Sequence, residues 1–306
     1  MKWRKLGIIF APPGGRGALA RSHAQVPTPL MLNDDVIRVY YSAWDDQGRS
    51  RPFFVDLKAD DPTCILQAPM EPLLDLGKPG CFDDNGVLCC SVVKVKNDLY
   101  YMYYVGFEIL KNIRYRLFTG LAISEDSAHF TKYSSVPILD RTQDEFLFRG
   151  GPFVSVKDNI FHMYYVAGSD WMDIDGKAMP VYTLKYMTSR DGICWPEKGQ
   201  DVFPAFSADE HGFGRPWLFH DGRRHELHYS VRRISLGAYR LGFAVSGDGA
   251  AWDRRDAELG LECGPDDFDA HAIMYSAAIA AKGKIYCFYN GDNFGEKGIA
   301  LAVRED

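Results

Sequence analysis

The sequence predicts an all-β fold, a single five-bladed β-propeller with four antiparallel strands in each blade, spanning residues 1–306. Three observations carry that expectation. An aromatic strand core recurs five times: Val39-Tyr-Tyr-Ser42, Met102-Tyr-Tyr-Val105, Met163-Tyr-Tyr-Val166, Leu227-His-Tyr-Ser230 and Cys287-Phe-Tyr-Asn290. Aligned on Tyr41, Tyr104, Tyr165, Tyr229 and Tyr289, the repeats are spaced by 63, 61, 64 and 60 residues, a period that marks a repeat architecture. Aromatic side chains make up 14% of the chain, with 17 Tyr and 19 Phe, which suits strands better than helices. Tight-turn residues then fall at the same place in each repeat, at Asn33-Asp-Asp35, Lys96-Asn-Asp98, Lys157-Asp-Asn159, Asp221-Gly222 and Lys282-Gly283.

Each repeat reads as four strands. In the third, Gly151–Lys157 is the first strand, Ile160–Val166 the second and Tyr182–Ser189 the third, and Trp195 opens the fourth. Phe130 and Trp252 open the corresponding strands in the second and fourth repeats. A second marker follows the last four cores: Gly120–Asp126, Leu184–Asp191, Gly242–Asp248 and Gly298–Ala302. Asp126, Asp191 and Asp248 occupy equivalent Ser-x-Asp turns and read as structural. The fifth repeat stops after its third strand. Lys2-Trp-Arg-Lys-Leu6 resembles the segments at Trp195 and Trp252, so the N-terminus is expected to supply the missing strand and close the ring.

Composition narrows the function classes. Charged residues are 25% and hydrophobic residues 46% of the chain, near a globular average. With 35 basic against 41 acidic side chains the net charge is −6, so no basic field exists to attract nucleic acid or an anionic membrane. Seven cysteines, two of them adjacent and none in a C-x-x-C pair, fit neither a disulfide framework nor a zinc site. The start of the chain imitates a signal peptide, but its apolar run is shorter than about 7 residues and no cleavage site follows. No apolar stretch approaches the roughly 18 residues needed to cross a bilayer. The expectation is a cytoplasmic protein. Gly15-Arg-Gly-Ala-Leu-Ala20 fits a loose dinucleotide fingerprint, which counts only inside a strand–turn–helix unit that the repeats do not offer.

Blade geometry sorts the connections by face. First-to-second turns are short, whereas Asp45–Ser50, Glu108–Arg116 and Ser169–Val181 are expected as long loops on the opposite face. Function concentrates on such loops and on the lead-ins to first strands. That face is expected to carry His23, Asp45, Asp83, Asp84, Glu145, Arg149, Trp171, Glu210, His211, Arg215, Arg232, Asp269 and His271.

With these residues in place, the chain resembles the five-bladed propeller glycosidases of families 43, 32 and 130. It is most similar to a bacterial group of propellers found beside polysaccharide or specialised sugar biosynthesis. Pro27-Thr-Pro29, Ile37–Ser42, Gly48–Arg51, Phe82-Asp-Asp-Asn-Gly86, Gly120–Ser124, Arg215-Pro-Trp217, Tyr239–Ala244 and Tyr289-Asn-Gly291 carry the resemblance across the whole chain. It implies a carbohydrate-active protein whose relatives include hydrolases, phosphorolytic enzymes and transferases. Two departures qualify this. The glycosidases have a catalytic Asp leading into the first blade, where this chain has His23-Ala-Gln25. The nearer relatives show Trp-Asp-Ser-Glu-Met where this chain has Phe268-Asp-Ala-His-Ala272, so Asp269 stays and His271 replaces a Glu.

Glycoside hydrolysis commonly needs two carboxyl groups across the scissile bond, one of them a proton donor. Asp84, Glu145, Glu210 and Asp269 are the catalytic candidates, with Glu145 or Glu210 as the donor. Asp83 and Asp84 face opposite ways on a strand, and Asp84 is preferred over Asp83 for the channel. His23, Asp45, Asp83, Arg149, Trp171, Arg215, Arg232 and His271 are candidate substrate-binding residues. Arg149 and Arg215 suit a carboxylate or phosphate on the ligand, unless they serve structural ion pairs. Trp171 suits stacking on a sugar face. His225 and His228 lie at an odd spacing on one strand and cannot chelate together. No metal or cofactor is expected. The partner is a sugar or glycan, either turned over or bound without turnover.

Overall fold

A computed structural model describes residues 1–203, 207–265 and 268–305. The chain is all-β; helix among the described residues is limited to the short turns Asp256–Glu258 and Asp292–Gly295. Strand β1 (Trp3–Phe10) comes first. Strands β2 (Ser22–Asn33), β3 (Val36–Trp44), β4 (Ser50–Lys58) and β5 (Ile65–Gln67) pair in chain order as one four-stranded sheet. Three more sets of four follow. They are β6 (Val87–Lys96), β7 (Leu99–Ile109), β8 (Tyr115–Ser124) and β9 (Thr131–Lys132); β10 (Phe148–Lys157), β11 (Ile160–Ile174), β12 (Lys177–Ser189) and β13 (Gln200–Asp201); and β14 (Glu210–His220), β15 (His225–Arg233), β16 (Ala238–Ser246) and β17 (Asp253–Arg254). Short parallel contacts of β8 with β10 and of β12 with β14 join them into one twelve-stranded sheet. Strands β18 (Met274–Ala281), β19 (Lys284–Asn290) and β20 (Ile299–Arg304) form the last sheet, and β1 pairs antiparallel with β20 as its fourth strand. The N-terminal segment thus completes the C-terminal sheet, with Lys5 opposite Ala302.

The chain divides into two compact units. One comprises Met1–Pro72, Trp217–Val231 and Ala238–Asp306; the other comprises Leu73–Pro216 and Arg232–Gly237. Each has its own apolar core. In the first, Tyr41, Phe53, Val55, Phe288 and Leu301 are fully enclosed, and Leu259, Phe243 and Tyr289 form a second cluster. In the second, Tyr103, Leu121, Met163 and Tyr165 fill the interior. Trp217 is core too, and its indole donates to the Ala278 carbonyl at 2.8 Å.

The repeat acts through three local devices. In two sets the turn between first and second strands takes positive φ, at Asp158 (52°) with Asn159 (60°) and at Lys282 (49°) with Gly283 (75°), the pattern of a two-residue hairpin. Each Ser-x-Asp turn is closed the same way. Ser189 Oγ donates to Asp191, whose carboxylate accepts the N–H groups of Ile193 and Cys194, both at 2.8 Å. Ser124 with Asp126 and Ser246 with Asp248 repeat this. The third device is a bulge in the first strand of a set. Gly151, Arg215 and Tyr275 have φ of 60°, 50° and 59° and each precedes its core tyrosine by 14 residues; Val26, at 56°, lies one residue further back. A bulge re-aims the side chains around it.

Two expected loops are strands instead. β11 and β12 run on past the blade as a ladder from Asp170 opposite Val181 to Ile174 opposite Lys177. The pair Asp175-Gly176, with φ of 52° and 75°, closes it as a two-residue turn. Glu108 and Arg116 likewise face each other in the β7–β8 ladder, joined by a 2.6 Å ion pair. Trp195 does not open a strand; the fourth strand of that set is only Gln200–Asp201, and the indole packs edge-on against Tyr103.

Candidate functional site

The carboxylates singled out by sequence fall into two groups, and the core tyrosines separate them. Tyr104 donates to Asp83 at 3.1 Å, Tyr165 to Glu145 at 2.9 Å and Tyr289 to Asp269 at 3.3 Å. Each carboxylate lies 20 or 21 residues before its tyrosine. A cation completes each post. Lys132 Nζ stands 2.6 Å from Asp83, and Lys5 Nζ stands 2.6 Å from Asp269. Glu145 receives Arg149 Nε at 2.8 Å and has Lys185 Nζ at 3.3 Å. Asp83, Glu145 and Asp269 are all buried. A carboxylate held by a phenol and a cation is a satisfied buried charge. These three fasten the lead-ins of three sets to their own second strands.

Arg149 belongs to the same post. Beyond Glu145, its NH1 donates to the Asp140 carbonyl and its NH2 to the Pro196 carbonyl, both at 2.9 Å. The guanidinium is therefore spent inside the protein. Asp84 occupies the turn itself and is half-buried. It accepts the Gly80 N–H at 2.8 Å and the side-chain amide of Asn85.

Glu210 differs. The fourth core tyrosine, Tyr229, bonds Asp256 on the far side of its sheet rather than a carboxylate before it. The position 20 residues before Tyr229 is Asp209, whose carboxylate accepts Ser235 N–H at 2.7 Å and Ser235 Oγ at 2.9 Å. The Asp209 carbonyl also accepts Ile234 N–H at 2.8 Å. These bonds lock the start of β14 to the end of β15 and bring Glu210 and His211 beside Arg232 and Arg233. Glu210 accepts Ser207 N–H at 2.9 Å, and Arg233 NH1 stands 3.4 Å away.

His211 is set by the parallel contact of β12 with β14 at Tyr182 and Gly212. Its Nδ1 donates to the Pro180 carbonyl at 2.9 Å. Burial lowers its pKa and the Arg232 charge adds to that, against the opposing pull of the Pro180 carbonyl. Arg215, four residues on, is a buried arginine at the bulge position where the preceding set has Gly151. Positive φ is uncommon outside glycine and persists where surrounding structure enforces it. The Arg215 charge reaches Cys89 and Cys90, yet burial still pushes the Cys90 thiol up to about 12.

Trp171 stands on the β11–β12 hairpin with Pro180 as its ladder partner. Its ring packs edge-on against Tyr115 at 5.6 Å and tilted against Phe148 at 5.7 Å. Glu210, His211, Pro180 and Trp171 form a connected series within one unit.

The other unit carries the remaining candidates. His23 has φ of 65°, stacks on Trp44 at 3.8 Å and shares a 2.9 Å hydrogen bond with Ser22 Oγ. Burial lowers its pKa, opposed by Glu296 and the Asn293 carbonyl. The Asn290 side chain fixes the strained segment, accepting from Val26 N–H at 2.8 Å and donating to the Ala24 carbonyl at 2.9 Å. Asp45 is buried, which works to raise its pKa. The Arg49 and Gln47 N–H groups and the Arg49 and Arg51 guanidiniums outweigh this and bring it to about 2. His271 is exposed; its N–H donates to Asp292 and its carbonyl accepts Arg240. Among the described residues no group of three His, Cys, Asp or Glu gathers to hold a metal. Among the same residues no helix is long and apolar enough to cross a membrane.

Sequence reasoning missed Lys5, Lys132 and Lys185 as partners of the candidate acids. The signal was present, since the interval of 20 or 21 residues from carboxylate to tyrosine recurs in three repeats.

No known protein-family profile matches the chain. Among solved structures, the BT0996 RGII complex superimposes with a TM-score of 0.74 at 20% identity, covering 99% of this protein and 91% of the other. A glycosyl hydrolase from Bacteroides ovatus gives a TM-score of 0.68 at 17% identity, over 93% and 85% of the two proteins. These likenesses place the fold with the glycosidase-like propellers. The uncharacterized protein Rv1502 of Mycobacterium tuberculosis is 31% identical over 308 aligned positions, covering 100% of both proteins. The chain belongs to the same family as Rv1502.

Proposed function

We propose that this protein is a carbohydrate-active enzyme that breaks a glycosidic bond in an acidic sugar, with Glu210 as the proton donor. The reading takes the five four-stranded sets as blades of one propeller. One observation carries the assignment. Glu210 accepts Ser207 N–H and stands 3.4 Å from Arg233, with His211 and Arg232 beside it, while the core tyrosine of its set bonds Asp256. Guanidinium groups suit a carboxylate or phosphate on the ligand. In the reaction, Glu210 gives its proton to the glycosidic oxygen as the C–O bond breaks, and water adds its hydroxyl to the anomeric carbon while its remaining proton passes to Asp84. Asp84, half-buried in its turn, is the second carboxylate of the same unit. Arg215 contributes positive charge further along β14.

The test is turnover of a panel of neutral, uronic and phosphorylated glycosides by Glu210→Gln and Glu145→Gln. Loss of a general acid removes about 10²–10⁴ of rate. Glu210→Gln is expected to lose turnover in that range while keeping its folded spectrum, and Glu145→Gln to lose stability instead. Full activity in Glu210→Gln overturns the assignment.

A second reading is binding without turnover. It is favoured by the commitment of Asp83, Glu145 and Asp269 to internal pairs and by His23 in the first lead-in. Binding heat with no product from any glycoside would select it.

A further inference from the structure

We infer that His211 is a substrate-binding residue whose Nε2 accepts a hydrogen bond from a hydroxyl adjacent to the anionic group of an acidic sugar. The inference deepens the proposed function and rests on it for the ligand class. Its ground is the geometry of one imidazole. His211 is 4% exposed, and its Nδ1 hydrogen is committed to the Pro180 carbonyl. That commitment fixes the tautomer and leaves Nε2 with a lone pair. No hydrogen-bond partner stands on Nε2 among the described residues, yet the atom is not sealed from solvent.

An acceptor that reaches solvent is held by water until a ligand donor displaces it. The surroundings restrict what ligand group fits. Arg232 lies close enough to His211 for its charge to disfavour the imidazolium. The Arg232 charge favours an anion nearby, but an anion alone brings no proton for Nε2. A group that donates a hydrogen bond while its neighbour carries negative charge answers both demands. A sugar hydroxyl beside a carboxylate or phosphate is that arrangement, with the anion facing Arg232 and Arg233.

The experiment uses the whole chain with ¹⁵N-labelled histidine, the His211 signals being identified by their loss in His211→Gln. Glucuronic acid, glucose 6-phosphate and glucose are titrated in, with binding followed by calorimetry on the same samples. The expected result is an unprotonated Nε2 and a protonated Nδ1 in the free protein. Glucuronic acid or glucose 6-phosphate then shifts Nε2, glucose does not, and His211→Gln weakens binding about 5- to 20-fold. The responding probe distinguishes a carboxylate from a phosphate ligand. A proton on Nε2 in the free protein overturns the inference whatever binds. So does a bound acidic sugar that leaves Nε2 unmoved, in which case the acidic-sugar reading survives. Absence of binding by both acidic probes removes the acidic-sugar reading and this inference with it.

Discussion

Replacing the core tyrosines one at a time by phenylalanine tests whether the buried carboxylates are structural posts. Tyr165 gives its hydroxyl proton to Glu145 at 2.9 Å and accepts Gly199 N–H at 3.0 Å. Tyr165→Phe keeps the ring in place but strips both bonds, leaving a buried amide unsatisfied and a buried carboxylate short of a donor. Such losses cost about 1–3 kcal/mol. Tyr104→Phe and Tyr289→Phe each remove one donor from a buried carboxylate and belong at the lower end of that range. Tyr41 is the internal control. It is equally buried and stacks on Phe53, but its hydroxyl has no hydrogen-bond partner among the described residues. Removing it leaves stability unchanged or raises it by up to about 1 kcal/mol. Urea midpoints and melting temperatures report the difference, at about 2–4 °C per kcal/mol for units of this size. Equal losses from Tyr41→Phe and Tyr165→Phe would refute the reasoning, because they would show that the ring and not the hydroxyl bond matters.

Other perturbations address separate parts of the structure. Lys5→Met strands Asp269, which is completely buried, without its cation; a loss of about 3 kcal/mol is expected, largely restored by adding Asp269→Asn, and a urea series checks both. Glu226 is buried, which works to raise its pKa, but bonds from His228 and Arg304 outweigh this and bring it to about 2. Because the folded pKa is depressed, its contribution to stability is complete above the ordinary carboxyl range and disappears as pH falls toward 2. Glu226→Gln should flatten that part of the stability–pH curve, and an unaltered curve contradicts the pairing. Glu210→Gln should abolish turnover without lowering the melting temperature as far as Glu145→Gln does.

Much of this architecture is legible in the chain. The tyrosine interval marks the repeats, and Trp3 to Phe10 lies beside β20 because its strand completes the last set. The Ser-x-Asp turns are equally plain, since the side chain and the N–H groups it caps are within a few residues. Ser169–Val181 reads as a loop because polar residues interrupt it, and the ladder of β11 with β12, closed at Asp175-Gly176, overrides that. The roles of Glu145 and Glu210 are harder to separate. Both are Glu at the lead-in of a first strand, preceded by Asp, and only the hydroxyl of the core tyrosine distinguishes them. Tyr165 turns to Glu145, whereas Tyr229 turns to Asp256. Arg149 and Arg215 looked equivalent for the same reason. Three-dimensional pairing spends Arg149 on Glu145 and two carbonyls, while Arg215 sits on β14 in positive φ.

The most direct test of the central claim is a crystal structure of the protein soaked with glucuronic acid and, separately, with glucose 6-phosphate. The anion is expected against Arg232 and Arg233, with a ring hydroxyl on His211 Nε2 and Glu210 facing the anomeric oxygen. An acidic sugar held instead on the His23–Trp44 stack, with the Glu210 cluster unoccupied, would contradict that claim.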